Sequence, residues 1–202
     1  MKAWLTCLAF LLLCTVSSFA QDFDRYFYLA WMPNKPLSNT SWIDEDTGKG
    51  VRFGYRKLIN EKFAVGFDYT WATYDQYYPT ATFVDGSRTI TTDYFNYVYS
   101  YGLTVSGQYF LPFGTERVMP YAGLGIGASL NRYFQYYNIY TDNDQNWGFL
   151  GRPEVGVLFP FGGKWGLTAA AHYTFSTAKS DYFGYDGFNS IGFNVGVVMM
   201  SY

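Results

Sequence analysis

The sequence predicts an all-β fold, an eight-stranded antiparallel up-and-down β-barrel that crosses a membrane. Three observations predict it. Short stretches alternate apolar with small or polar residues, as in "KWGLTAAAHYTFST" from Lys164 to Thr177, the pattern of a strand with two unlike faces. Aromatic residues make up 23% of the chain, with 21 Tyr and 21 Gly, more rings than the core of so short a soluble domain can hide. The joints between alternating stretches are short and long by turns. A transmembrane barrel needs this combination, with rings outside at the lipid interfaces and glycine and polar side chains inside.

Residues 1–20 read as a secretory signal. Lys2 gives the positive start, "LAFLLLCTV" the apolar core, and Ser18 and Ala20 the small residues before the cut. Residues 21–202 are then one barrel domain. Leu13 before Cys14 and Thr6 before Cys7 oppose a lipoprotein signal, which needs a small residue there. Both cysteines fall in the leader, so thiol and disulfide chemistry are excluded from the mature chain. Without Lys2 the mature chain carries 13 basic and 16 acidic residues, a formal charge of −3. No basic patch points to a nucleic-acid partner. No later stretch approaches the roughly 20 apolar residues of a spanning helix.

The first strand, near Arg25 to Trp31, is apolar on both faces, so its orientation stays open. The second, near Gly48 to Leu58, turns out Val51, Phe53 and Tyr55 and turns in Arg52, Gly54 and Arg56. The third, near Lys62 to Tyr74, puts Phe63, Val65, Phe67, Tyr69 and Trp71 outside, with Gly66, Asp68 and Thr70 inside. In the fourth, near Tyr94 to Leu111, Tyr97, Tyr99, Tyr101, Leu103 and Val105 oppose Asn96, Ser100, Thr104, Ser106 and Gln108. The fifth, "PYAGLGIGASLN", alternates Leu124 and Ile126 with Gly123, Gly125 and Gly127. The sixth sets Pro153, Val155, Val157 and Phe159 against Arg152, Glu154 and Gly156. The seventh is the stretch quoted above, and the eighth turns out Ile191, Phe193, Val195, Val197 and Met199. Strands of about ten residues suit a tilted crossing.

"NEK" (Asn60 to Lys62), "GTER" (Gly114 to Arg117) and "GGK" (Gly162 to Lys164) are tight turns. Longer polar loops are expected near Pro33–Thr47, Asp75–Thr92, Asn138–Asn146 and Ala178–Gly187. In such barrels short turns are periplasmic and long loops extracellular, which puts both termini in the periplasm. Phe63, Tyr109, Phe161 and Trp165 then form one aromatic girdle, and Trp71, Tyr97, Trp147 and Phe175 the other. A soluble sandwich or lipocalin-like barrel would instead have to bury these rings together while exposing the glycine-rich face.

The leader, the alternating strands, "PYAGLGIGAS", "RPEVGVLF" and the terminal "NSIGFNVGVVMMSY" resemble the small eight-stranded outer-membrane barrels of the OmpA/OmpX type. They are similar, more broadly, to the bacterial outer membrane protein beta-barrel domain family. The resemblance covers the whole mature chain and implies an integral outer-membrane location, contact with outer-membrane lipid and delivery by the barrel-assembly machinery. It also implies that Tyr202 serves as a terminal assembly signal, although outward parity through Met199 reaches Ser201 instead.

An eight-stranded barrel is just wide enough for its own side chains to fill it. With "NEK" as a three-residue turn, Asp68 faces Gly54, diagonally between Arg52 and Arg56. With "GGK" as a turn, Phe161 faces Trp165, Glu154 faces His172 and Arg152 faces Thr174. The expected lumen network is therefore Arg52, Arg56, Asp68, Arg152, Glu154 and His172, a structural polar plug. The competing reading is a narrow gated ion or small-solute channel with a proton-sensitive pair at Glu154 and His172. Some barrels of this size modify lipid A, one deacylase type using His and Ser two residues apart near a Glu. Here "HYT" supplies Thr174 at that spacing, and His172 points inward, away from lipid, so no catalytic residue is expected.

The loop "DNDQN" (Asp142 to Asn146) opens like a calcium site, but the position of its closing glutamate is Pro153, and no metal or other cofactor is expected. Tyr77, Tyr78, Tyr136, Tyr137, Tyr140, Tyr182 and Tyr185 sit at or beyond the outer rim. They read either as strands continuing past the membrane with Tyr paired across the ladder, or as a contact surface for an unidentified surface or envelope protein. The expected function is a non-enzymatic outer-membrane barrel with a filled lumen and a structural or surface-contact role.

Overall fold

A computed structural model describes residues 23–86, 88–115 and 117–201. The leader and Tyr202, with its expected assembly role, lie outside the described residues. Nine strands form one antiparallel sheet in the order β1-β3-β4-β5-β6-β7-β8-β9-β2. They are β1 Arg25–Trp31, β2 Asn34–Pro36, β3 Gly50–Leu58, β4 Phe63–Asp85, β5 Arg88–Phe110, β6 Met119–Tyr137, β7 Tyr140–Gly162, β8 Trp165–Ser176 and β9 Ser190–Ser201. β2 continues β1 along β9 in one register, Trp31 facing Val195 and Asn34 facing Gly192, so the nine strands make eight staves. β1 pairs with β3 on one side and β9 on the other, which closes the sheet and leaves no edge to solvate in lipid.

Neighbours followed round the barrel give its shear. From Asp24 the path runs through Leu58, Ala64, Gln108, Gly123, Glu154, His172 and Gly192 to Asn34, ten residues beyond its start. For eight strands this shear gives a tilt of about 40° and a backbone radius of about 8 Å. Curvature that tight needs glycine where neighbouring backbones converge. A Cβ on Gly66 would lie 1.8 Å from the Tyr55 carbonyl oxygen, and one on Gly127 2.0 Å from that of Leu103.

The side-chain alternation follows the sequence pattern. Leu103, Val105, Leu124, Ile126, Val155, Val195 and Val197 are exposed on the outside. Phe63, Phe161 and Trp165 lie at the short-turn end of this belt, and Trp71, Trp147 and Phe175 toward the other end. The eight residue steps from Phe63 to Trp71 span about 20 Å along the barrel axis, near the height of a lipid-facing band. β1 settles the face that the sequence left open: Arg25, Phe27, Leu29 and Trp31 point out, while Tyr26, Tyr28 and Ala30 are buried inside.

Two expected loops are instead strands. β4 and β5 run 23 residues each and pair from Phe63–Tyr109 to Asp85–Arg88, with one irregularity beyond Tyr78. β6 and β7 pair continuously to Tyr137–Tyr140. Asn138 takes a φ of 53° in their two-residue turn, a conformation asparagine tolerates. Beyond the membrane both faces of a hairpin meet water, so apolar alternation fades and a strand reads as polar loop. The β4–β5 hairpin extends roughly 30 Å past Trp71. The turn expected at "GGK" carries a bulge, so Gly162 and not Phe161 faces Trp165, while Glu154 still faces His172.

Candidate functional site

The lumen is built around Asp68, whose side chain is fully buried. Arg56 donates from Nη1 to its Oδ1 at 2.8 Å and from Nη2 to its Oδ2 at 2.9 Å, and Arg52 donates from Nη2 to Oδ2 at 2.9 Å. The Tyr28 and Ser106 hydroxyls also donate to this carboxylate, and Thr104 approaches Oδ2 at 3.4 Å. Arg52 reaches a second acid, donating from Nη1 to Glu154, whose other oxygen accepts from Gln108 Nε2 at 3.1 Å. Tyr26 completes the chain by donating to Gln108. The Arg52 and Arg56 guanidinium carbons lie 5.4 and 5.5 Å from the Tyr28 ring centroid. Two acids and two arginines thus form one network in which carboxylate lone pairs are met from several sides.

The expected Glu154–His172 side-chain pair does not form. The two residues face each other across β7 and β8, yet Glu154 turns across the lumen to Arg52. His172 Nε2 lies 2.9 Å from Asn34 Oδ1. Asn34 Nδ2 donates to the Met32 carbonyl at 2.7 Å, so the amide is oriented to accept and the ring nitrogen donates. Arg152 bonds neutral partners only, Thr174 from Nε at 3.3 Å and Thr70 from Nη2 at 3.1 Å. The physical reason is width: at a backbone radius of about 8 Å, an arginine reaches the opposite wall as easily as the next strand. Tyr26, Tyr28, Asn34, Thr70, Ser106 and Gln108 belong to the network although sequence reasoning did not single them out. The missing signal for the tyrosines was the parity of β1, which no turn fixes because β1 closes against the last strand.

Two apolar clusters lie above and below this polar belt. At the short-turn end, Phe23, Tyr26, Phe110, Met119, Tyr121, Leu158, Val198 and Met200 are packed together and buried. At the hairpin end, Met32, Trp42, Ile43, Tyr74, Val98, Tyr133 and Phe188 form the second, with Phe183 and Tyr185 against it. Trp42 and Ile43 come from the segment expected to be an outer loop, which folds inward over the mouth. Its turn is held by Trp42 and Ile43 amides donating to the Asn39 carbonyl at 2.8 and 3.1 Å. Tyr78 Oη donates to the Ser41 carbonyl at 2.9 Å, and Asn96 Nδ2 to that of Trp42 at 3.0 Å. The Trp42 ring sits 4.4 Å from Phe183 and 5.7 Å from Tyr185.

The rim tyrosines divide between this plug and the outside. Tyr78 and Tyr185 support the lid. Tyr77, Tyr136, Tyr140 and Tyr182 are exposed on the hairpins and the last loop. Tyr77 packs against Phe95 at 5.1 Å, and Tyr136 stacks on Phe134 at 5.8 Å. Tyr137 stacks on Tyr140 at 5.8 Å and donates to Asp142 at 2.9 Å. Most of these rings therefore pair along or across strands. Among the described residues, no group of three or more His, Cys, Asp or Glu side chains is placed to hold a metal ion.

Comparison with known proteins places this geometry. The family model described as "Outer membrane protein beta-barrel domain" matches residues 6–200. Among solved structures, Neisserial surface protein A superposes with a TM-score of 0.55 at 19% identity, covering 88% of this chain and 97% of that one. The attachment invasion locus protein Ail of Yersinia pestis gives a TM-score of 0.48 at 13% identity, over 88% and 95% of the two chains. OprG from Pseudomonas aeruginosa gives 0.47 at 12%, over 89% and 97%. No curated protein sequence matches the chain.

Proposed function

Since the chain belongs to the outer membrane protein beta-barrel domain family, we propose that it is a non-enzymatic bacterial outer-membrane barrel whose filled lumen is a rigid scaffold and whose long hairpins make contacts outside the cell. In this reading the short turns and both termini face the periplasm, following the usual asymmetry of such barrels. The observation that carries the reading is the stacking of two apolar plugs around a buried ion network. A path for solutes would have to cross all three layers. The groups that could do chemistry are committed elsewhere: His172 and Thr174 are buried and bonded to Asn34 and Arg152. What remains accessible is the exposed ring surface of the β4–β5 and β6–β7 hairpins, carried on a rigid scaffold as binding groups commonly are.

The test shortens each hairpin separately, removing residues 79–90 or 138–143. Folding is checked by the difference in gel mobility between unboiled and boiled samples. Folded variants are expected to lose surface binding or co-purifying envelope proteins that the wild type shows. If both variants fold and every interaction survives, the contact role fails. Planar-bilayer recording tests the scaffold separately: wild type is expected to show no stable conductance, and a steady ion-selective current would favour a channel.

A further inference from the structure

From the outer wall above the lipid belt, we infer a binding site for the phosphorylated sugar headgroup of an outer-leaflet glycolipid, with Arg132 as its cation and the ring faces of β5 and β6 as its floor. The inference rests on the proposed topology, in which the hairpin end faces outward. Arg132 is paired across the sheet with Tyr99 and Gln145. It lies one outward step beyond the rung of Trp71, Tyr101, Leu130 and Trp147, about 5 Å farther along the membrane normal. That is where acyl chains give way to headgroups.

The wall there is a lattice of rings. Tyr97 and Tyr99 stack along β5 with centroids 5.9 Å apart, and Phe134 and Tyr136 along β6 at 5.8 Å. Across the strands, Tyr97 meets Tyr136 edge-on at 5.5 Å and Tyr99 meets Phe134 at 5.6 Å. Phe95, Tyr97, Tyr99 and Tyr136 line an open groove of about 380 Å³. Flat apolar faces rimmed by phenol hydroxyls suit a sugar ring, whose axial hydrogens are apolar and whose edge is hydroxylated. Tyrosine offers such area at low entropic cost.

Charge selects the partner. On the hairpin half, Lys35, Lys49 and Lys179 each sit in an ion pair, with Asp46, Asp75 and Asp181. Among the described outward-facing side chains there, Arg132 is the cation with no such pair. Its guanidinium lies 5.2 Å from the Phe134 ring centroid, and its Nε is buried without a hydrogen-bond partner. A guanidinium held over a ring and outside any ion pair suits a phosphate met through its two terminal nitrogens.

The experiment titrates the purified barrel in detergent micelles with purified lipopolysaccharide and with the same lipid after dephosphorylation, read by tryptophan fluorescence. Arg132→Gln is expected to bind the phosphorylated lipid about ten-fold more weakly than wild type, and the dephosphorylated lipid equally. Arg132→Lys should recover part of the loss, and Tyr99→Ala should weaken binding of both lipids. All variants are first shown to be folded by the gel-mobility shift. Equal affinity of wild type and Arg132→Gln for the phosphorylated lipid, or indifference of wild type to the phosphates, overturns the site. Topology is tested apart, by labelling Tyr140→Cys on intact cells with a membrane-impermeant maleimide. Failure to label overturns the topology and the outer-leaflet source together, whereas labelling without lipid binding overturns the site alone.

Discussion

Asp68 is the position where one substitution should cost the barrel most. It accepts from Arg52, Arg56, Tyr28 and Ser106 in an interior that water does not reach. In Asp68→Ala, Arg52 keeps Glu154, but Arg56 keeps only the Tyr28 hydroxyl at 3.4 Å and the Tyr55 and Phe67 carbonyls at 3.0 and 3.3 Å. A fully buried guanidinium is then left without a counter-charge. Breaking a buried ion pair from one side costs about 3–5 kcal/mol. With an m-value of about 3 kcal/mol/M in urea, the unfolding midpoint in lipid vesicles should fall by about 1–1.7 M. Asp68→Asn keeps an acceptor oxygen and loses the charge, and should lie between the two. The controlling variant removes both ends, Asp68→Leu with Arg56→Met, and should be more stable than Asp68→Ala because no charge is stranded. The assay follows the folded, fast-migrating gel species against urea concentration. The reasoning is refuted if Asp68→Ala unfolds within about 0.5 kcal/mol of wild type, or if the double variant loses the sum of the two single losses.

Other substitutions probe the remaining layers. Trp42→Ala should empty the lid between Phe183 and Tyr185 and destabilise by about 3–5 kcal/mol; cleavage of the 37–49 segment by added protease should rise, and unchanged resistance would show the lid is held elsewhere. Gly127→Ala drives a methyl into the Leu103 carbonyl, so the heat-modifiable folded band should be lost or sharply reduced, whereas Gly107→Ala, with open space around it, should fold normally. The Lys49 ammonium donates to Asp75 at 2.6 Å, and that bond raises its pKa above the ordinary lysine value. Stability from this pair is full below the unfolded lysine pKa and lost as pH rises through the raised one, so Lys49→Met should shift the neutral-pH urea midpoint by the equivalent of 1 kcal/mol at most and change nothing at strongly alkaline pH.

Much of this architecture was legible because a barrel wall is a local object. Period-two alternation assigned inside and outside for β3 to β9, since one face must satisfy lipid and the other its own neighbours. The tight turn at Asn60–Lys62 fixed the register that puts Asp68 opposite Gly54. Legibility failed where the physical constraint was not local. β1 has aromatics and aliphatics on both faces, and its partner β9 lies at the other end of the chain, so no turn sets which face is inward. Above the membrane the lipid constraint disappears, and strands such as Gln76–Val84 lose the alternation that would have marked them.

The same distinction explains why Asp68 bonds its near neighbours Arg52 and Arg56 while Glu154 bonds across the lumen and not to His172. Register specifies neighbours within the sheet, at about 4.8 Å between strands, and on that measure Glu154 belongs with His172. A barrel adds a second kind of neighbour, the far wall, separated by about twice the 8 Å backbone radius. Two inward side chains close that gap when one is an arginine and the other a carboxylate, as Arg52 and Glu154 do from β3 and β7. The choice between adjacent and opposite partners then turns on charge. A neutral imidazole offers Glu154 one weak donor, while Arg52 offers a charge-assisted bond and is itself otherwise shared with Asp68. His172 is left to the nearest neutral acceptor, Asn34, on the strand that closes the barrel. Sequence reasoning that carried shear as well as turn register would have brought those two together. Shear of ten sets Asn34 and Asp24 at the two ends of one circuit through His172 and Glu154, and it is fixed only once the first and last strands meet.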